Sequence, residues 1–223
     1  MMQLADIIRS RRSIRAFLPD PLDEAELRDL LDVARFAPSG GNVQPWRVIM
    51  VSGGARDAVI AAAQARLMHS LESEEGDRPI YPENLWEPHR SWRYQVGEAM
   101  YAKLGIAREE KMQRLQWLAN NYQFFGAPHA AFFVIDRRMG HGQWAHLGMF
   151  MQSLALAAEA NGIGTCMQES WARLRVTLAA HFGLPDTQMV YCAMALGRAD
   201  PAAAVNQLRS ERAEIDEFTQ FLS

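Results

Sequence analysis

The order of predicted strands and helices is the feature that most constrains the fold of this chain. Short apolar segments rich in β-branched and aromatic residues predict strands at residues 46–51, 130–136, 165–168 and 189–196. Helical periodicity predicts helices at residues 3–11, 23–36, 143–161, 170–182 and about 215–222. Residues 55–120 form a largely helical block, with an irregular stretch at 76–90 that holds three prolines. The chain therefore combines a sheet with helices, and the helical block interrupts any regular alternation.

Length and composition favour one globular unit. A chain of 223 residues with 49% hydrophobic residues suits a single domain spanning residues 1–223, with an excursion at about 55–120. The net charge of −3 does not favour a nucleic-acid-binding protein. Cys166 and Cys192 match no disulfide framework, so we expect a reducing, cytoplasmic location. The N-terminal residues do not resemble a signal peptide, and no uncharged apolar run reaches roughly 18 residues, so we expect no membrane span.

Motifs of classical nucleotide and metal sites are missing from the sequence. No GxGxxG follows the first predicted strand, and no GxxxxGK[ST] occurs anywhere. A doubly wound dinucleotide-binding sheet therefore has no motif to support it. The six histidines are scattered, and His141 and His146 are five residues apart, which misses the i, i+4 spacing of a helical metal site. We expect no metal centre.

A cluster of arginines near the N-terminus is the first candidate site. Arg9, Arg11, Arg12 and Arg15 fall within seven residues, with Ser13 among them. Guanidinium groups match phosphate oxygens with paired hydrogen bonds, and a serine hydroxyl adds a further donor. The cluster is thus a candidate phosphate site. The alternative is a solvated basic face on an amphipathic helix.

The loop at residues 38–46 (PSGGNVQPW) is the second candidate site. Two adjacent glycines permit close approach of the backbone to a flat ligand. The amides of Asn42 and Gln44 both donate and accept hydrogen bonds, which suits the edge of a heteroaromatic ring. An ordinary connection between a helix and a strand uses the same turn residues and remains the alternative.

Taken together, these segments resemble the FMN-dependent nitroreductase family. The resemblance starts with residues 11–15 (RRSIR) and 37–46 (APSGGNVQPW). It continues through residues 121–128 (NYQFFGAP), 162–169 (GIGTCMQE), 197–198 (GR), 205–206 (VN) and 209–212 (RSER). The motifs occur in the family's order and cover nearly the whole chain.

The resemblance implies an α+β fold, a three-layer α/β/α sandwich with a central, mostly antiparallel sheet. It also implies a homodimer with two FMN sites at the interface. The tail after residue 200 is polar until Ile215, Phe218, Phe221 and Leu222. This pattern predicts a C-terminal arm that is exchanged between subunits and buries its apolar end on the partner. An arm folded back onto its own subunit is the alternative.

The resemblance also implies a set of FMN-binding residues. Arg11 and Ser13 would hold the phosphate with Arg12 beside them, and Arg209 and Arg212 would close the pocket. Arg15 would lie near the N1–C2 carbonyl edge of the flavin, and the backbone of Met167, Gln168 and Glu169 would face N5. Asn42 and the backbone of Pro38, Ser39 and Gly40 would line the ring from the other subunit, with Gln44 a further candidate.

The expected activity follows from that cofactor. We expect an FMN oxidoreductase that uses NADH or NADPH to reduce nitroaromatics, quinones or similar small flat aromatic acceptors by a ping-pong mechanism. No dedicated catalytic side chain is expected, because the flavin carries the chemistry. The alternatives are a flavin-dependent dehalogenase or a flavin-consuming relative of the same fold, and a non-catalytic flavin-binding protein. The sequence selects neither the nicotinamide cofactor nor the acceptor.

Overall fold

A four-stranded antiparallel sheet forms the centre of the protein in a computed structural model, which describes residues 3–74 and 80–222. The strands are β1 (Arg47–Ser52), β2 (His129–Asp136), β3 (Gly164–Gln168) and β4 (Gln188–Gly197). They lie in the order β1-β2-β4-β3, and each neighbouring pair is antiparallel. The predicted α+β class with a mostly antiparallel sheet is thereby confirmed.

Helices cover both faces of this sheet. In chain order they are α1 (Leu4–Ser10), α2 (Glu24–Ala34), α3 (Gly53–His69), α4 (His89–Leu104), α5 (Lys111–Ala119), α6 (His141–Ala160), α7 (Arg175–Phe182) and α8 (Ile215–Phe218). The helical block predicted at 55–120 corresponds to α3, α4 and α5. Asp23 and Glu26 form a capping box at the start of α2, so each side chain accepts a backbone hydrogen bond that the first helical turn leaves free.

Strand β2 shows why the protein has three layers. Its side chains alternate between the two faces of the sheet, as a pleated strand requires. Ala131, Phe133 and Ile135 belong to a buried cluster with residues of α2 and α6. Ala130, Phe132 and Val134 belong to a second cluster with residues of α3 and α7. Because β2 is buried along almost its whole length, it reads in the sequence as a continuous apolar run.

The N-terminal segment after α1 runs beside β3. The Ile14 N–H donates to the Thr165 carbonyl at 2.9 Å, and Ser13 lies opposite Thr165 in a parallel bridge. A Cβ atom on Gly164 would lie 2.8 Å from the Ile14 side chain, so this approach requires a glycine. The arginine-rich segment is therefore held directly against the strand that ends at Gln168.

Two predicted helices differ in detail. Residues 170–182 do not form one α-helix: a 3₁₀ segment, Glu169–Leu174, precedes α7. Trp171 and Leu174 are both buried, and three-residue spacing places such a pair on one side of a 3₁₀ turn. The final helix stops at Phe218 instead of about 222, and its apolar side chains Ile215 and Phe218 are largely exposed in this protomer. Part of the irregular stretch predicted at 76–90, residues 76–79, lies outside the described residues.

Residues 3–74 and 80–222 contain no helix that is both long enough and apolar enough to cross a bilayer.

His129 joins the entry of β2 to the segment before α2. Its Nε2 accepts a hydrogen bond from the Leu22 N–H at 2.9 Å, which requires an unprotonated Nε2. Burial lowers the pKa of His129, and the nearby positive charge of Arg56 lowers it further. The folded protein therefore holds this imidazole in its neutral form.

Because the folded state has the lower histidine pKa, this contribution to stability is complete above about pH 6.5 and is lost as the pH falls. We expect the free energy of unfolding to decrease between pH 7 and pH 5 more steeply in the wild type than in His129→Gln. Urea unfolding at both pH values measures this difference. His181 is exposed, so His181→Gln should keep the wild-type slope. Equal slopes in wild type and His129→Gln would contradict the assignment.

Candidate active site

The two arginine clusters of the sequence meet at one cavity. A space of about 230 Å³ is lined by the N-terminal residues Arg9, Arg11, Arg12, Ser13 and Arg15 and by the C-terminal residues Leu208, Arg209, Ser210 and Arg212, with Val96 of α4. The five residues predicted to surround the phosphate (Arg11, Arg12, Ser13, Arg209 and Arg212) thus lie together, and Arg15, predicted to lie near the flavin ring, lines the same cavity. The folded chain brings them together although nearly 200 residues separate the two groups.

Asn206 is the residue that joins these two segments. Its side chain is buried, and its Oδ1 accepts a hydrogen bond from the Arg15 N–H at 2.8 Å. Its Nδ2 donates to the carbonyls of Ala16 (2.8 Å) and Asp200 (2.9 Å). The Asn206 carbonyl accepts from Arg12 Nε at 2.6 Å. The side-chain amide of Asn206 therefore fixes both the arginine-rich segment and the start of the C-terminal tail.

The arginines of this cavity repel one another. Burial lowers the pKa of Arg12, and the positive charge of Arg209 lowers it further, while Glu159 offsets part of the effect. The side chains of Arg12 and Arg209 donate to backbone carbonyls instead of carboxylates. Within the described ranges, none of the salt bridges includes an arginine of this cavity. A bound anion would relieve this repulsion.

A second, larger cavity adjoins the first at Arg15, which lines both. Its volume is about 660 Å³, within the usual range for a small-molecule site. Much of its wall is apolar and comes from Leu67, Leu71, Met100, Leu115, Trp117 and Phe125. Met167, Gln168 and Glu169, predicted to face the flavin, line the same space. The arginine cavity and this apolar cavity thus form a polar and an apolar compartment that share Arg15.

Two buried polar atoms at the larger cavity lack partners. The Gln168 amide donates through Nε2 to the Asn121 carbonyl at 2.8 Å, which fixes its orientation. Its Oε1 and the Ser170 hydroxyl oxygen are buried with no hydrogen-bond partner among the described residues. An unpaired buried polar group costs about 1–3 kcal/mol. A ligand with polar groups on its edge would supply the missing bonds.

Burial also affects the titratable groups near this cavity. The protein around Glu169 removes water from its carboxylate and raises its pKa. Burial raises the pKa of Cys166 and Cys192 as well, so both thiols stay protonated and unreactive near neutral pH. We therefore assign no nucleophilic role to either cysteine.

The loop predicted to line the ring does not line either cavity of its own protomer. Ser39 Oγ accepts from the Gln44 N–H at 3.0 Å, and Gln44 Nε2 donates to the Asn42 carbonyl at 3.2 Å. Asn42 and Gln44 both have positive φ angles, of 54° and 49°. Pro38, Gly40, Asn42 and Gln44 are exposed on this protomer. The structure brings the other predicted residues together and leaves this loop apart.

Some residues of the site were not predicted from the sequence. Asn206 was noted only as part of a motif, and its role depends on contacts with residues about 190 positions away. Tyr122 and Arg173 line the larger cavity, but no local pattern singles out either of them. Such residues are recognised only when the strand order and the 3₁₀ segment after β3 are known.

Comparison with known proteins places the chain in a family. The sequence model of the Nitroreductase family matches residues 8–198. A chloronitrobenzene nitroreductase from Comamonas testosteroni is 37% identical over 221 residues, covering 97% of this chain and 96% of the relative. The chain therefore belongs to the Nitroreductase family.

Solved structures agree with this assignment. The structure of an FMN- and NADPH-dependent nitroreductase, NfnB from a Sphingopyxis strain, matches the whole chain with a TM-score of 0.96 and 39% identity, and all of that chain is covered. The FMN-dependent NfnB of Mycobacterium smegmatis in complex with NADPH matches with a TM-score of 0.92 and 33% identity, covering 99% of this chain and 98% of that one. The strand order and helical layers described above are thus those of nitroreductases.

The contacts of Asn206 lead to a testable expectation. Asn206→Ala leaves the Arg15 N–H and two backbone carbonyls without their partner, so we expect the free energy of unfolding to fall by about 1–3 kcal/mol. Urea denaturation measures this loss. The neighbouring Gln207 is exposed, and Gln207→Ala should change stability by less than about 0.5 kcal/mol. If the two variants are equally stable, Asn206 does not join the segments as described.

Proposed function

We propose that this protein is an FMN-dependent oxidoreductase that uses NADPH to reduce nitroaromatic compounds. The observation that carries the proposal is the pair of adjoining cavities, one lined by arginines and one largely apolar, which share Arg15. The names of the matched relatives support the same cofactors and substrate class. The matches span nearly the whole chain, which favours nitroreduction over dehalogenation or passive flavin binding.

The residues present fit FMN at its phosphate end. The FMN phosphate carries nearly two negative charges, and the smaller cavity offers several guanidinium groups and the Ser13 hydroxyl. Arg11, Arg12 and Ser13 would bind this phosphate from the arginine-rich segment. Arg209 and Arg212 would bind it from the C-terminal tail. Burial and the repulsion from Arg209 both lower the pKa of Arg12, and a bound dianion would offset them.

The residues also fit the ring end of FMN. The unpaired Gln168 Oε1 and Ser170 hydroxyl could bond to polar atoms of the ring, and the apolar walls would cover its faces. Arg15 would stabilise the negative charge that the ring gains on reduction. When bound, FMN supplies two-electron transfer between the nicotinamide and the acceptor. The chain's own residues then need to bind and orient the nicotinamide cofactor and the acceptor. Glu169 would contribute through its backbone, which would face the flavin ring.

We further propose that the active unit is a homodimer of this single-domain chain. Ile215, Phe218, Phe221 and Leu222 all expose more than half of their surface in one protomer, which is typical of an interface. An exchanged arm would bury them on the partner. The same pairing would bring the Pro38–Gln44 loop to the partner's cavity, which would account for its absence from the cavity of its own protomer.

We propose a cytoplasmic location for the dimer. Cys166 and Cys192 are both free and buried, which agrees with a reducing compartment. A cytoplasmic enzyme would also have access to NADPH, the reductant we propose.

Spectroscopy and steady-state kinetics of the purified protein test the proposed function. We expect a yellow protein that releases FMN on denaturation and oxidises NADPH with a chloronitrobenzene as acceptor. Since one cavity would serve both the nicotinamide and the acceptor, double-reciprocal plots should be parallel. A protein that binds no FMN, or holds FMN but reduces no nitro compound, would refute the proposal. Intersecting plots would refute the shared cavity.

A further inference from the structure

Arg173 is a cation of the larger cavity to which the proposed FMN site assigns no role. It lies on the 3₁₀ segment after β3, beside the apolar wall, and on the same cavity as Met167 and Gln168. We propose that Arg173 selects nitroaromatic acceptors that carry a negatively charged substituent, such as a carboxylate. This inference rests on the proposed function and adds a substrate class to it.

The position of Arg173 is fixed from two sides. Its backbone carbonyl accepts a hydrogen bond from the Glu74 N–H at 2.9 Å. Its guanidinium Nη2 donates to the carbonyl of Leu71, which also lines the cavity. The segment before α4 and the segment after β3 therefore hold each other in place, so little side-chain entropy remains to be lost when an anion binds.

Glu74, the carboxylate nearest in this network, is fully engaged elsewhere. Its Oε2 accepts from the Thr177 N–H at 2.9 Å, and its Oε1 accepts from Thr177 Oγ1 at 2.5 Å. The same Oε1 pairs with Arg66 Nε at 2.8 Å. The Glu74 side chain is only 8% exposed. Glu74 thus anchors the segment to α7 but does not neutralise the charge of Arg173.

Among residues 3–74 and 80–222, Arg173 has no acidic side chain as an ion-pair partner. Its neighbour Tyr122 donates its hydroxyl to the Ser170 carbonyl at 3.2 Å. Burial raises the pKa of Tyr122, while the positive charge of Arg173 and a side-chain hydrogen bond between the two residues act in the opposite direction. The cation therefore lies beside a neutral phenol.

The charge of the whole cavity favours an anion. Of the described residues that line it, three are arginines (Arg15, Arg93 and Arg173) and one is a glutamate, Glu169. Arg15 is assigned to the flavin, and the guanidinium of Arg93 lies over the Tyr81 ring, 4.1 Å from its centroid. Of these three described arginines, Arg173 is therefore the one left available to a second ligand. An aromatic acceptor would occupy the apolar part of the cavity and place its carboxylate toward Arg173.

A matched pair of acceptors tests this inference. 4-Nitrobenzoate and its methyl ester share the nitroaromatic ring, and the ester carries a methyl group in place of the negative charge. With the FMN-loaded enzyme, we expect a higher kcat/KM for the acid than for the ester. In Arg173→Gln, kcat/KM for the acid should fall about tenfold or more through KM, because a charge-assisted contact is lost. The value for the ester should change less than about twofold.

Control variants separate recognition from folding and from general electrostatics. Arg138→Gln removes the same charge from an exposed residue that is paired with Asp136, and should leave the acid-to-ester ratio unchanged. Arg173→Lys keeps the charge and should retain part of the preference for the acid. This variant also provides the test if Arg173→Gln does not fold.

Several results would overturn the inference. Equal kcat/KM for acid and ester in the wild type would do so, as would an equal loss for both acceptors in Arg173→Gln. If Arg173→Gln weakens NADPH but not NADH and leaves the acid-to-ester ratio unchanged, Arg173 binds the phosphate of the nicotinamide cofactor instead. Failure of the proposed function is distinguishable, because an enzyme that is not a nitroreductase reduces neither acceptor.

Discussion

The buried amide of Asn206 ties together the parts of the chain on which the candidate site depends. It bonds to the backbone of Arg15 and Ala16 on one side and of Asp200 on the other. These bonds place several guanidinium groups around one small cavity, where their charges oppose each other. Favourable packing in the rest of the protein must offset the repulsion between these guanidinium groups. A site with such repulsion between its cations is preorganised to bind an anion.

The sheet explains why this cation site lies beside an apolar cavity. β3 pairs with β4 on one edge. On its other edge, the arginine-rich segment forms a parallel bridge between Ser13 and Thr165. The chain continues from β3 into Gln168, Glu169 and the 3₁₀ segment, which line the larger cavity. A ligand with a phosphate at one end and a flat ring at the other matches this arrangement of two compartments. The geometry thus links the fold to the proposed cofactor.

Local patterns in the sequence predicted much of the fold, and long-range contacts account for what they missed. The apolar run of β2 is visible in a few consecutive residues and forms a strand as predicted, and the capping box of α2 is equally local. The mostly antiparallel sheet was not derivable from periodicity and came from the family resemblance, and the strand order came only from the structure. Asn206 and Arg173 contact residues that are distant in sequence, so their roles can be recognised only in the folded structure. The Pro38–Gln44 loop is the part of the predicted site that a single protomer does not bring to the cavity.

The central claim is that the arginine cavity binds the phosphate of FMN. Titration of the apoprotein with FMN and with riboflavin, which has the same ring but no phosphate, tests it most directly. The account predicts that FMN binds about 100-fold more tightly or better at low salt, since at least two charge-assisted bonds are at stake. This advantage should shrink as salt screens the charges. Equal affinities for FMN and riboflavin would contradict the account.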